Sequence, residues 1–183
     1  MTLDLPSWAV VSTKRVEHIQ RVVALIERWA AARKLDEHEA SRWRRAAWYH
    51  DALKDAGRDV LNRYAPQGDW HPKLWHGPAA AAAAARHGET DQGVLDAIRY
   101  HSVGFADWDD AGKALYLADY LEPGREYDRA WRDEQAARVA TDLAGALKTV
   151  AARRIAWLVE QGNPVRRDTW DFWNRIAADA SSS

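Results

Sequence analysis

The chain has 183 residues, 47% of them apolar and 29% charged, which suits one domain large enough to bury a core. A formal charge of −1 gives no global basic field for non-specific nucleic-acid binding, so no nucleic-acid partner is expected. Cysteine is absent, which excludes disulfides and thiolate metal sites and leaves histidine and carboxylate to hold any transition metal. Twenty of the 26 cations are arginine, so local phosphate sites stay open. The start, MTLDLPSWAVVS, lacks a basic segment followed by a long apolar run, and no window approaches a transmembrane span. Neither a signal peptide nor a membrane partner is expected, and the expected location is cytoplasmic.

In chain order, Val16, Ile19, Val22, Val23, Ile26 and Ala30 recur with a helical period over residues 13–32. Asp36 and Glu39 form a capping-box pattern that opens a helix running toward His50. A short helix follows around 55–64, and the Pro- and Gly-rich segment 65–78 reads as loop. Pro78 suits the first turn of an alanine helix that Gly88 ends and that serves as a buried or half-buried floor. Thr90 can cap the next helix, to about Tyr100, and another covers about 110–121 before Pro123. A long helix is predicted over 131–161, ending at Gly162-Asn163-Pro164. Thr169 is a candidate cap for a last helix at about 168–178, and residues 180–183 should fray. Alternating Val-Ile-Thr strands do not recur, so the expectation is an all-α, single-domain bundle of roughly seven helices spanning 1–183.

Three histidines fall on apolar stripes. His18 shares a face with Val22 and Leu25, His50 with Trp43 and Ala46, and His101 with Val94 and Ala97. Asp119, four residues after Leu115 in ALYLADYL, is a carboxylate within an apolar run, which is costly unless paired or bound to a metal. Singly, each has a plain explanation: a core histidine bonded to a carbonyl, or an aspartate paired with Arg99 or Arg125. As a set, with Asp51 beside His50 and His76 at a helix mouth, they form an N/O ligand group suited to divalent iron, manganese or zinc. His38, His71 and His87 lie in polar or helix-end settings and fall outside that group.

The stretches YHDALK (49–54), LWHGP (74–78), RYHSVG (99–104) and YLADYLEPGR (116–125), in this order, resemble the HD-domain metal-dependent phosphohydrolases. More narrowly they resemble the bacterial YqeK proteins, symmetrical bis(5′-nucleosyl)-tetraphosphatases, over about residues 15–174. The resemblance implies an HD-type helical bundle with the metal site between helices. It also implies two divalent ions, iron first, with manganese or zinc as alternatives. His18, His50, Asp51 and Asp119 would serve one ion and His76 and His101 the other, with Asp51 bridging. The implied reaction is in-line attack by a hydroxide shared between the ions on a central phosphorus. A dinucleoside tetraphosphate is the implied substrate and two nucleoside diphosphates are the products; diadenosine tetraphosphate would give ADP.

Lys54, at the HD-x-x-K spacing, and Arg125 in LEPGR are the implied catalytic cations, with Arg15 as a further substrate contact. Ser102 is a candidate phosphate contact. RDTWDFWN (167–174) resembles a closing motif in which Asp168, Thr169 and Asn174 would meet the nucleoside and Trp173 would stack on it. Trp170 and Trp173 have packing of a terminal helix as the plainer role. Some of the eleven tryptophans, gathered on one face, would suit a homodimer contact. Two other readings fit the same ligands: an HD hydrolase of another nucleotide, and a non-catalytic, metal-bound nucleotide sensor.

Overall fold

The computed structural model describes residues 5–65 and 70–179, and the regular structure among them is helical, with no strand. Helix α1 (Thr13–Ala32) buries the face that the sequence period marks, from His18 and Ile19 to Trp29 and Ala30. Helix α2 (Glu37–Tyr49) starts where the Asp36 side chain accepts from the Glu39 backbone N–H at 2.8 Å. Helix α3 (Arg58–Tyr64) is short, and a 3-10 turn at Pro72–Leu74 leads into helix α4 (His76–Arg86). Helix α5 (Gln92–Tyr100) and helix α6 (Asp110–Leu121) join the site-bearing helices together, since α1 packs on α2 and α6, and α5 packs on α2, α4 and α6.

The alanine helix is a floor, as expected. Ala79, Ala80, Ala81, Ala83 and Ala84 are buried, and α4 starts at His76 itself, two residues before Pro78. Gly77 explains the GP of LWHGP. A Cβ there would stand 2.6 Å from the Arg99 carbonyl oxygen, so only glycine lets α4 touch the C-terminal end of α5. Gly88, at φ 102, turns the chain out of α4 in the left-handed region.

Four expectations are corrected. The helix predicted over 131–161 is two helices, α7 (Arg129–Arg138) and α8 (Leu143–Glu160). Asp142 accepts from the Gly145 N–H at 2.8 Å and pairs with Arg138 at 2.6 Å. That local side-chain bond starts a new helix where alanine-rich propensity alone would run on. Asp91 rather than Thr90 caps α5, accepting from Val94 N–H at 3.1 Å. Thr169 lies inside the first turn of helix α9 (Arg167–Asp179), with its hydroxyl turned inward to Val103. Nine α-helices stand among the described residues instead of roughly seven. Residues 180–183, expected to fray, lie outside the described residues.

Candidate metal centre

Five helices deliver one cluster. His18 comes from the second turn of α1, His76 opens α4, and Asp119 stands in the last turn of α6. His50 and His101 occupy the C-cap positions of α2 and α5, with Asp51 one residue past the first. Helix ends converge here, and each carries side chains into the same hollow. His18, His50, Asp51, His76 and His101 are all buried, whereas 13% of the Asp119 side chain reaches solvent, so its burial is less complete than the sequence pattern implies.

The tautomers follow from the outer bonds. His50 Nδ1 donates to the Ala47 carbonyl at 2.7 Å and His101 Nδ1 donates to Ile98 at 2.8 Å, the same i−3 contact at both helix ends. His18 Nδ1 donates to Glu122 Oε1 at 3.3 Å. In these three rings, when neutral, Nε2 is therefore the lone-pair nitrogen, and each faces the Nε2 of another imidazole. His18 Nε2 stands 3.4 Å from His50 Nε2, and His76 Nε2 stands 3.1 Å from His101 Nε2. Two imidazole lone pairs hold that separation only with a proton or a cation between them.

Asp51 sits between the pairs. Its Oδ2 takes Arg15 Nη1 at 2.6 Å and lies 3.7 Å from both His18 and His50 Nε2. Its Oδ1 lies 3.2 Å from His76 Nε2 and 3.5 Å from His101 Nε2, yet is buried with no donor aligned on it. Two donor groups result, His18–His50–Asp51 and Asp51–His76–His101, and they share Asp51. Donors bonded to one ion at about 2.0–2.2 Å stand roughly 3 Å apart, so the observed separations and the orphaned Oδ1 fit divalent metal. His18 Nε2 also faces Asp119 Oδ1 at 3.2 Å.

Burial pushes His50 and His76 down to about 4, which keeps both rings neutral and available as ligands. Burial acts downward on His18 as well, but its bonds to Asp119 and Glu122 and the nearby carboxylate charges raise it to about 9. A proton there occupies the place of a cation, and metal must displace it. Burial opposes ionisation of Asp51 and Asp119, but the surrounding imidazoles hold both well below the usual carboxylate range.

The cluster forms one wall of a cleft of about 650 Å³. Arg15, Lys54, Ser102 and Arg125, all singled out from sequence, line it. Lys54 Nζ lies 3.1 Å from His76 Nε2, and burial lowers its pKa from the ordinary lysine value. Arg125 Nη2 donates to the Asp119 carbonyl at 3.1 Å and to Asp119 Oδ1 at 3.3 Å. Asp168, Thr169 and Asn174 are absent from the lining. Thr169 is buried and donates to the Val103 carbonyl at 2.8 Å, Asp168 pairs with Arg166 at 3.3 Å, and Asn174 is exposed. Trp173 packs against the core, and Trp170 is exposed on the outside of α9.

Sequence reading missed three residues. Glu122 is 3% exposed and holds His18, Arg21 and the Gly124 N–H together. Arg21 donates to it at 2.6 Å. Arg154 lines the cleft and donates to the Ser102 carbonyl at 2.6 Å. Glu122 follows Asp119 by three residues, on the same helix face, and that spacing was the available signal. Among the described residues no helix is long and apolar enough to cross a membrane.

The HD domain profile matches residues 15–124, the span that carries all six donors of the cluster, while Arg125 and Arg154 of the cleft lie beyond it. The chain is 31% identical over 141 residues to the symmetrical bis(5′-nucleosyl)-tetraphosphatase of Bacillus subtilis, covering 73% of this chain and 75% of the relative. The protein of the same name from Halalkalibacterium halodurans is 27% identical over 176 residues, 91% of this chain and 93% of the relative. A crystal structure from Clostridium acetobutylicum, described as a predicted HD superfamily hydrolase involved in NAD metabolism, superposes with a TM-score of 0.78 at 26% identity, covering 92% of each chain. With the matched profile spanning more than half of its length and the His-Asp cluster assembled inside that span, the chain belongs to the HD domain family.

Proposed function

We infer that the protein is a metal-dependent hydrolase that cuts dinucleoside tetraphosphates between the two central phosphates, releasing two nucleoside diphosphates. The observation that carries this reading is the sharing of Asp51 by two donor groups on the wall of a cation-lined cleft. The curated relatives from two bacteria bear the name of that activity. Two divalent ions, iron first, fit the donor set, with His18, His50, Asp51 and Asp119 on one side and His76 and His101 on the other. When bound, such ions supply Lewis acidity toward phosphoryl oxygens and bring the ionisation of water near neutral pH.

The chain's own residues do the rest. Lys54, Arg15 and Arg125 stand where a polyphosphate would lie against the cluster, and they oppose the charge that builds on its non-bridging oxygens. Arg154 and Lys14 extend the same positive wall. Glu122 and the Ala47 and Ile98 carbonyls hold three imidazoles in the orientation the donors need. Asp51, fixed by Arg15 on one oxygen, keeps the other aimed at the His76–His101 pair.

The test is product identification. Protein loaded with iron or manganese and given diadenosine tetraphosphate should release ADP as the sole nucleotide product. Release of AMP and ATP, or no turnover, would overturn the reading. Asp51→Ala should abolish turnover and deplete bound metal, and normal turnover by metal-free Asp51→Ala would refute the role of the cluster.

A further inference from the structure

Beside the metal cleft lies a second hollow of about 530 Å³, continuous with it through Asp119, Arg125, Arg154 and Trp157. Its character differs. Tyr127 and Trp157 flank it, 57% and 54% exposed, two of the few large hydrophobic side chains that the described residues leave to solvent. Tyr127 is fixed despite its exposure. The buried Arg132 lies 4.2 Å from its ring centroid, and Arg132 Nε donates to the Tyr127 carbonyl at 3.1 Å. Among the described residues Trp157 stacks on no other ring.

We propose that this hollow seats one of the two nucleosides of the substrate, its base against Tyr127 and Trp157, with Arg125 and Arg154 bridging to the phosphate cleft. The proposal rests on the tetraphosphatase reading above. A substrate cut between its central phosphates extends from the reacting phosphorus in two directions, and each arm ends in a sugar and a flat, apolar-faced base. The cleft beside the cluster is lined largely by cations and suits phosphates. The hollow past Arg125 and Arg154 sets Tyr127 opposite the Trp157 ring at the border that it shares with the cleft. An exposed, pre-fixed aromatic ring is also what stacking on a base requires, because little side-chain freedom is then lost on binding. The cation border shared by both hollows places charge where the chain of phosphates would pass from one to the other.

The experiment compares two ligands on metal-loaded protein by calorimetry. One is a diadenosine tetraphosphate analogue whose central bridging oxygen is replaced by methylene, so that it is not cut. The other is inorganic tetraphosphate, which has no base. Tyr127→Ala and Trp157→Ala, both at exposed positions, should each weaken the analogue by about tenfold while inorganic tetraphosphate binds as in the parent. The KM for diadenosine tetraphosphate should rise in step. Equal weakening of both ligands, or weakening of neither, would overturn the assignment. A parent protein that hydrolyses diadenosine tetraphosphate to ADP while both variants bind the analogue normally would remove the nucleoside seat alone. A parent that does not hydrolyse it would remove the function reading, and this assignment with it.

Discussion

His18 and Glu122 are 104 residues apart in the chain, yet the imidazole Nδ1 donates to the carboxylate at 3.3 Å. Glu122 is itself gripped by Arg21 at 2.6 Å and by the Gly124 N–H at 2.7 Å. Burial opposes its ionisation, but His18, Arg21 and the Gly124 N–H hold it down to about 2, so it stays an acceptor at any ordinary pH. The bond fixes the ring and presents Nε2 to Asp51 and Asp119. Glu122→Gln should therefore lower metal affinity by about 10–100-fold without unfolding the bundle. Competition with a chelator of known affinity checks it, and unchanged affinity would leave Glu122 a fold contact only.

Lys54 is buried enough for its pKa to fall, and its Nζ faces His76 from the cleft. Lys54→Met should cut kcat/KM for the tetraphosphate by about tenfold or more with metal content retained. Loss of metal in that variant would make Lys54 a support of His76 instead.

Gly77 carries the closest backbone approach near the site. In Gly77→Ala the new Cβ would lie 2.6 Å from the Arg99 carbonyl and 3.3 Å from that of Ile98, the acceptor for His101. We expect a loss of about 1–3 kcal/mol in stability, with reduced metal stoichiometry, read by thermal unfolding and metal analysis of the same sample.

Asp91 both caps α5 and pairs with Arg42 Nε at 2.7 Å, and the arginine bond is the largest influence holding its pKa down, to about 2. A carboxyl depressed in the folded state stabilises it fully above its unfolded value near 3.8, and that contribution is lost as pH falls through about 2. The thermal midpoint of the parent should thus exceed that of Asp91→Asn at about pH 5 and converge on it toward pH 2. A gap that does not narrow would mean the pair adds nothing.

Much of the site was legible because burial follows helical period. His18, His50, His101 and Asp119 could be placed inward from their apolar neighbours alone, and the structure brings them together. His76 could not, since no period reaches a helix's first residue; LWHGP marked it by resemblance. Glu122, Arg21 and Arg154 were hidden because charged residues on helix faces look solvated until a partner from a distant helix is seen. In the C-terminal motif two of the expected substrate contacts have partners within the fold. Thr169 and Asp168 have hydrogen-bonding groups that sequence cannot aim, and here they meet the Val103 carbonyl and Arg166. The break between α7 and α8 was likewise local, decided by one aspartate against a run of good helix formers.

The six donors come from five helices, the outermost 101 residues apart at His18 and Asp119. One donor group draws on α1 and α2 and the other on α2, α4 and α5, so no short fragment of the chain holds both, and the pair is complete only once these helices and α6 have docked. The metal would then act as a late cross-link that locks assembly: withdrawing it should lower the melting temperature as well as silence the enzyme. Metal supply would in this way set the lifetime of the folded protein along with its turnover.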